Sequence, residues 1–330
     1  MKFLMFGTRQ DEIEWAEKWG KENQVEITTR PELLTENTVD DVKGYDGISV
    51  LQQAPIDSEV IYQKLADFGI KIISLRSTGY DTVNLALAKK YHLAVSNVPG
   101  YSTRSIGELV LTQAMHLLRH IGIVEDRESR GDFSFEGLES KEIHQLTVGV
   151  IGVGRIGMTV ASLFKALGSE VIGYDPYKKP NPEDPVKYVS YDELIKNADI
   201  ITVHMQLTDD TKHMIDQNTF KQMKNSALFL NMARGGIVNT KDLIEALKNH
   251  EIAGAAIDTI EDEAGIFGVD RQNGYDNPML KELIEMPNVS VTPHIAFYTE
   301  PAVQNMVEYC LEDSYKFLKG EGVDHLVNLD

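Results

Sequence analysis

Three side chains late in the chain have the types needed to hold an anion and move a proton: Arg234 in FLNMARGG, Glu263 in AIDTIEDEAG and His294 in VTPHIAFY. Arginine carries a permanent planar cation, histidine titrates near neutral pH, and a neighbouring carboxylate can orient either one. Each follows a short apolar run that reads as a strand. In a doubly wound sheet the carboxyl ends of the strands line the ligand crevice, so all three are candidates for one site. Taken singly, each also has an ordinary reading. Arg234 could form a surface ion pair, Glu261, Asp262 and Glu263 could be a solvated acidic loop, and His294 could be a turn residue after proline.

A second constellation lies upstream in TVGVIGVGRIGMTVASLFKALGSEVIGYD, Thr147 to Asp175. Gly152, Gly154 and Gly157 fall between a strand pattern and a helix pattern, the setting that gives G-x-G-x-x-G its meaning. Gly152 would make the tight turn, Gly154 would admit a pyrophosphate close to the backbone, and Gly157 would let the helix pack on the strand. Arg155 and Ile156 begin that helix, whose free N–H groups and partial positive charge suit phosphate. Asp175, 18 residues past Gly157, can accept from both adenosine ribose hydroxyls and would repel a 2′-phosphate, which favours NAD over NADP. The alternatives are a tight turn without a ligand for the glycines and a cap on the turn DPY for Asp175.

The elements that must position these residues follow from periodicity. KFLMFG, VEITT, DGISVL, IKIISL and LAVSN are short β-rich runs separated by helical or polar stretches, which reads as βαβ units in a parallel sheet. An amphipathic stretch, Arg104 to Glu125, leads into a second series: VGVIG, EVIGYD, ADIITVHM, SALFLNMA, AGAAID and VSVTPH. Six such strands predict a second doubly wound sheet. Pro301 then opens an amphipathic helix, Ala302 to Lys319, too late for the second sheet to need. It is expected to return to the first domain. The predicted fold class is α/β with two doubly wound parallel-sheet domains and a cleft between them. A flavodoxin-like substrate or catalytic domain is formed by residues 1–100 plus 299–330, and a Rossmann NAD-binding domain by residues 101–298.

The charge balance limits the partners. With 51 acidic against 32 basic residues in 330, the net charge of −19 repels phosphate backbones and anionic membranes. It would also repel a small anionic substrate, which would need a local positive centre. The single cysteine, Cys310, excludes an intrachain disulfide and a cysteine zinc site, and no H-E-x-x-H or EF-hand spacing is present, so no metal is expected. No apolar run approaches the roughly 20 residues of a membrane span, and a cytoplasmic location is the expectation.

The ordered set GVGRIG, YD, ARGG, AIDTIEDEAG and TPHIAFYT resembles the D-2-hydroxyacid dehydrogenase family over nearly the whole chain. SNVPGYS and HIAFYT are similar to its D-lactate dehydrogenase branch. The resemblance implies reversible, NAD-dependent reduction of a short 2-oxo acid such as pyruvate by hydride transfer. His294 would be the proton donor in reduction and the base in oxidation, and Glu263 would pair with it and fix its ring. Arg234 would bind the substrate carboxylate and polarise the neighbouring carbonyl. The turn STGYD would offer backbone amides at Thr78 and Gly79, with Tyr101 as a further donor. Met205, Gln206, Met232 and Ala233 fall on the cofactor side, and Asp258 would hold the nicotinamide carboxamide.

Some positions depart from the family pattern. Gln206 stands where the family commonly has proline, and STGYDTVN diverges from its usual valine-glycine-threonine-aspartate form. Leu51, in ISVLQQAP, aligns with a position often tyrosine in pyruvate-preferring members and aliphatic in those that take bulky acids. Opposite Phe297 it would leave a roomier apolar wall, so D-2-hydroxyisocaproate dehydrogenase is the alternative activity. A non-enzymatic alternative is a dinucleotide sensor resembling the family's corepressor branch. The stretch from His120 to Leu146 lies where the family makes its dimer contacts, and a homodimer is expected.

Overall fold

A computed structural model describes residues 1–52, 54–177, 181 and 183–327. The chain divides into two compact units, Met1–Ser102 with Tyr298–Asp330, and Thr103–Phe297. The crossings therefore fall two residues later and one residue earlier than the sequence boundaries at 100 and 299.

The first unit holds β1 (Lys2–Phe6), β2 (Glu26–Thr29), β3 (Gly47–Val50), β4 (Ile72–Leu75) and β5 (Ala94–Ser96). Among the described residues they form one sheet in the order β2-β1-β3-β4-β5, with every pair parallel. A parallel sheet needs crossover connections that cover both of its faces, so its strands are apolar on both sides. Successive residues of β1 show this. Leu4 and Phe6 pack with Ile48, Val50 and Ile73 on one face, while Phe3 and Met5 pack with Trp19, Val307 and Leu311 on the other.

The second unit contains β6 (Thr147–Ile151), β7 (Glu170–Tyr174), β8 (Lys187–Tyr188), β9 (Ile200–Val203), β10 (Leu228–Asn231), β11 (Gly254–Ile257) and β12 (Val289–Val291). Their order is β12-β11-β10-β9-β6-β7-β8, again all parallel among the described residues. Both faces are buried here too. Ile151, Ile201, Phe229 and Ala255 join one cluster, and their neighbours Val150, Ile200, Leu230 and Ala256 join the opposite one with Phe164. The direction of winding reverses between β6 and β9, the switch point at which doubly wound sheets take ligands.

Two local readings change. β8 is a seventh strand, and two residues are too few to carry a periodic signal. The stretch from Arg104 to Glu125 is not one helix but two, Thr103–Leu118 and Ile121–Ser129, broken at His120, whose φ is 53°. A left-handed residue cannot continue a right-handed helix.

The late helix, Glu300–Lys319, has Pro301 in its first turn and stops at Gly320 with φ 75°. It belongs to the first unit. Val307 and Leu311 seat it on Phe3, Met5 and Trp19, and Ser314 Oγ lies 2.6 Å from Ser74 Oγ of β4. Beyond it, Val327 N donates to Val95 O at 2.8 Å, and Leu326 bridges Ser96 antiparallel at the edge of the sheet. Replacing the fully buried Leu311 with alanine is expected to destabilise the first unit by about 2–5 kcal/mol. The check is the midpoint of urea unfolding followed by Trp15 and Trp19 fluorescence.

Candidate active site

Most candidates of the second unit lie within three residues of the carboxyl end of a strand. Gly152 follows β6, Asp175 follows β7, Met205 and Gln206 follow β9, Met232 to Arg234 follow β10, Asp258 follows β11 and His294 follows β12.

The glycine turn is tested by what a side chain would meet. At Gly152, φ is 88°, and a Cβ would stand 2.8 Å from the His204 carbonyl and from Met205 Cγ. At Gly157 a Cβ would fall 2.0 Å from Gly152 O, so helix Arg155–Ala166 can approach β6 only without one. At Gly154 nothing lies within 4 Å of the Cβ position. Two glycines are thus required by packing, while the middle one faces open space that a ligand can use. Gly154 is also the N-cap of that helix and has no side-chain cap. Unsatisfied N–H groups at a helix start suit a phosphate.

Val153, Gly154, Arg155, Met158, Asp175 and Tyr177 line an open groove of about 500 Å³. Asp175 Oδ2 accepts from Val153 N at 2.9 Å and Oδ1 accepts from Tyr177 N at 2.9 Å. The capping role and the groove-lining position therefore occur together, and the residues present fit a dinucleotide.

The proton-handling candidates form one connected set. Asp258 is 1% exposed. Its Oδ1 accepts from Thr292 Oγ1 at 2.6 Å and from Ile295 N at 2.9 Å, and its Oδ2 accepts from Ala296 N at 2.9 Å. Its backbone carbonyl accepts from His294 N at 2.9 Å. Asp258 is thus the anchor of the histidine loop, with both carboxylate oxygens engaged there. His294 sits at φ 57° with its Nδ1 2.5 Å from Glu263 Oε1, and Ile260 N donates to Glu263 Oε2 at 2.8 Å. An ionised carboxylate can only accept. With Nδ1 engaged by Glu263, Nε2 is the ring nitrogen left outside that contact.

Arg234 is half-buried. Its Nη1 donates to Ala233 O at 2.8 Å, and among the described residues no carboxylate lies within ion-pair distance of it. Asn231, 1% exposed, shapes this turn: Ala233 N donates to its Oδ1 at 3.1 Å, and its Nδ2 donates to Arg234 O at 3.0 Å. Met232 is buried and Ala233 half-buried beside it. Met205 is half-buried and Gln206 exposed, with Gln206 O accepting from Thr211 Oγ1 at 2.6 Å. Asn231 was not among the sequence candidates. A polar residue ending an apolar strand was its available signal.

The first-unit candidates also follow strand ends, Leu51 after β3, Thr78 and Gly79 after β4, and Tyr101 after β5, and all four are half-buried. Thr78 Oγ1 donates to Val98 O at 3.0 Å, Asn97 Nδ2 donates to Thr78 O at 2.7 Å, and Ser77 Oγ donates to Gly79 O at 2.7 Å. Asn305 Nδ2 donates to Tyr101 O at 3.4 Å. In the second unit, Phe297 O accepts from Ser105 Oγ at 3.3 Å.

Residues 111–296 match the family model of the D-isomer specific 2-hydroxyacid dehydrogenase NAD binding domain. The chain belongs to this family and carries that NAD-binding domain at its glycine turn. It is 42% identical to a D-lactate dehydrogenase of Lactiplantibacillus plantarum, with all of both chains covered. The crystal structure of D-lactate dehydrogenase with NAD+ from Lactobacillus jensenii superposes with a TM-score of 0.91 at 41% identity, covering 99% of this chain and all of that one. The structure of a D-2-hydroxyisocaproate dehydrogenase gives 0.92 at 37% identity, with 99% of each chain covered.

One residue at the switch point gave no signal in the sequence. His204 directly follows β9 beside Gly152, its Nε2 2.9 Å from Thr202 Oγ1. Its Nδ1 is buried and has no hydrogen-bond partner among the described residues. Burial pushes the imidazole down to about 3. The unfolded chain, with an ordinary histidine near 6.5, takes up a proton that the folded chain refuses. The stabilisation is therefore complete above about 6.5 and falls as pH drops toward 3. His204→Gln is expected to flatten the acid limb of the stability curve across this window, measured as urea midpoints from pH 4 to 8.

Proposed function

We propose that this protein is an NAD-dependent D-lactate dehydrogenase that reversibly reduces pyruvate to D-lactate. The observation that carries the reading is the contact of His294 Nδ1 with Glu263 Oε1 at 2.5 Å, which leaves one defined imidazole position for proton exchange. Arg234, the half-buried cation with no carboxylate partner among the described residues, receives the substrate carboxylate in a planar two-point contact. It draws electron density from the adjacent carbonyl as it does so. When bound, NADH supplies the hydride that reduces the keto carbon. As charge develops on the carbonyl oxygen, His294 Nε2 delivers the proton, and Glu263 holds the ring in place throughout. In the oxidative direction the same nitrogen removes the hydroxyl proton. Asp175 in the groove supports NAD rather than NADP, since a 2′-phosphate would meet its charge.

The relatives named D-lactate dehydrogenase support pyruvate as the acid. Leu51 is the one feature that supports the bulkier acid of the D-2-hydroxyisocaproate alternative, and a methylene or two in an apolar pocket changes discrimination by only about 1–3 kcal/mol. Thr78, Gly79, Tyr101 and Phe297 stand in the proposal as substrate contacts. Met205, Gln206, Met232, Ala233 and Asp258 stand in it as cofactor contacts.

A homodimer in the cytoplasm is part of the same reading. Phe133 and Phe135 are 78% and 87% exposed on the stretch from His120 to Leu146, and exposed aromatic surface of this kind marks association sites.

Initial rates of NADH oxidation with pyruvate, 2-oxoisocaproate and phenylpyruvate test the substrate. Pyruvate is expected to give the highest kcat/KM, and a bulky acid ahead by about tenfold, or about 1.4 kcal/mol, would make the alternative correct. His294→Ala is expected to lower kcat by about 10² to 10⁴ while NADH still binds. Arg234→Lys should raise KM for the acid far more than the Kd for NADH, and equal damage to both would deny it a substrate role.

A further inference from the structure

We propose that a second histidine–carboxylate pair, His213 with Glu261, is a positioning device that locks together the three loops carrying the cofactor and substrate residues of the second unit. His213 Nε2 lies 2.6 Å from Glu261 Oε1, across 48 residues of sequence. Neither residue is asked to touch the reacting atoms. They act by fixing where Arg234, Glu263 and the Met205–Gln206 stretch stand, so the inference rests on the roles given to those residues above.

Each partner is tied to more than one loop. His213 belongs to the loop after β9 and sits at φ 53°. Its N donates to Gly236 O at 2.9 Å, and Ile215 N donates to Ile237 O at 3.1 Å, so this loop is zipped to the one after β10 that bears Arg234. Glu261 belongs to the loop after β11. Its Oε2 accepts from Thr240 N at 2.9 Å, at the first turn of helix Thr240–Lys248, which continues the β10 loop. Gly235, next to Arg234, has no room for a Cβ, which would fall 2.1 Å from the Ile260 carbonyl carbon and 2.5 Å from Glu261 N. Ile260 N in turn holds Glu263. A line of short contacts thus runs from His213 through Glu261 and the Ile260 backbone to Glu263 and His294.

The charges suit such a clamp. Burial works to raise the Glu261 carboxyl, but the Thr240 N–H and His213 bonds outweigh it and hold the group below the usual carboxylate range. Glu261 therefore stays an acceptor for both partners near neutral pH. Removing the His213 ring would free the β9 loop from the β11 loop and loosen the binding residues, while Ile260 N still holds Glu263 against His294.

The test uses the full-length protein and the variants His213→Ala, His213→Gln, Glu261→Ala and the double alanine variant. Two readouts are taken: Kd for NADH by fluorescence titration, and KM and kcat for the preferred acid. His213→Ala is expected to raise the Kd for NADH about fivefold and KM for the acid about tenfold, with kcat changed by less than about threefold. Glutamine, whose amide can donate to Glu261, should bring both back to within about twofold. The double variant should be no worse than Glu261→Ala alone, as coupled residues are not additive. Kd and KM both within about twofold of wild type in His213→Ala would overturn the proposal. So would equal losses in the alanine and glutamine variants accompanied by an equal drop in Tm, which is the signature of a general structural defect. The NADH titration needs no turnover. If the wild-type protein reduces none of the acids, the functional reading fails while the clamp is still judged by Kd.

Discussion

The carboxylate of Asp258 is the constraint on which the site depends. A buried carboxylate left without partners is disfavoured by several kcal/mol, and Asp258 is almost wholly buried. It is stable there only because Thr292, Ile295 and Ala296 donate to it, which forces residues 292–296 to fold around it. That wrapping holds His294 in a left-handed conformation that a residue with a Cβ does not choose alone. The backbone of Asp258 adds a further restraint, its N–H donating to Asn231 O while its carbonyl receives His294 N. The ends of β10, β11 and β12 are thereby joined at one residue.

The same device recurs along the carboxyl edge of the second sheet. Asn231 spends its amide on the turn carrying Arg234, and Asp175 divides its two oxygens between the glycine turn and the turn that follows it. At β7, β10 and β11 a polar side chain at or just past the strand end therefore satisfies the backbone of a loop. Such groups are costly when unpaired and specific when paired. They turn apolar strands, which carry no directional information, into fixed points from which functional side chains can be aimed.

A comparison of two arginines shows how placement decides availability. Arg76 follows β4 and is fully buried, with Nε on Glu12 Oε1 at 2.8 Å, Nη1 on Ser49 Oγ at 2.7 Å and Nη2 on Phe6 O at 2.8 Å. Its charge is neutralised by the equally buried Glu12, and its donors are spent on β1 and β3. It braces the first sheet just before the Ser77–Gly79 turn. Arg234 also follows an apolar strand, yet it is half-buried, and among the described residues its side chain donates to the neighbouring Ala233 carbonyl. In a chain of net charge −19, a cation left without a carboxylate is the one suited to an anionic ligand.

The sequence by itself determined the elements and the order of the candidates. Alternating apolar runs between helical stretches are local signals, so eleven of the twelve strands could be read directly, β8 alone being too short. The glycine spacing was legible for the same reason, since a turn of that shape is made within a few residues. The sequence could also name Arg234, Glu263 and His294, because an ordered pattern survives without knowledge of distance. Only the tertiary structure decided which of them meet. The Glu263–His294 contact spans 31 residues and the His213–Glu261 contact 48, and both depend on β9, β10, β11 and β12 lying side by side. Strand order is set by how the crossovers pack rather than by the pattern within any strand. For that reason Asp258 as a loop anchor, His204 as a buried neutral imidazole, and the difference between Arg76 and Arg234 had no counterpart in local sequence.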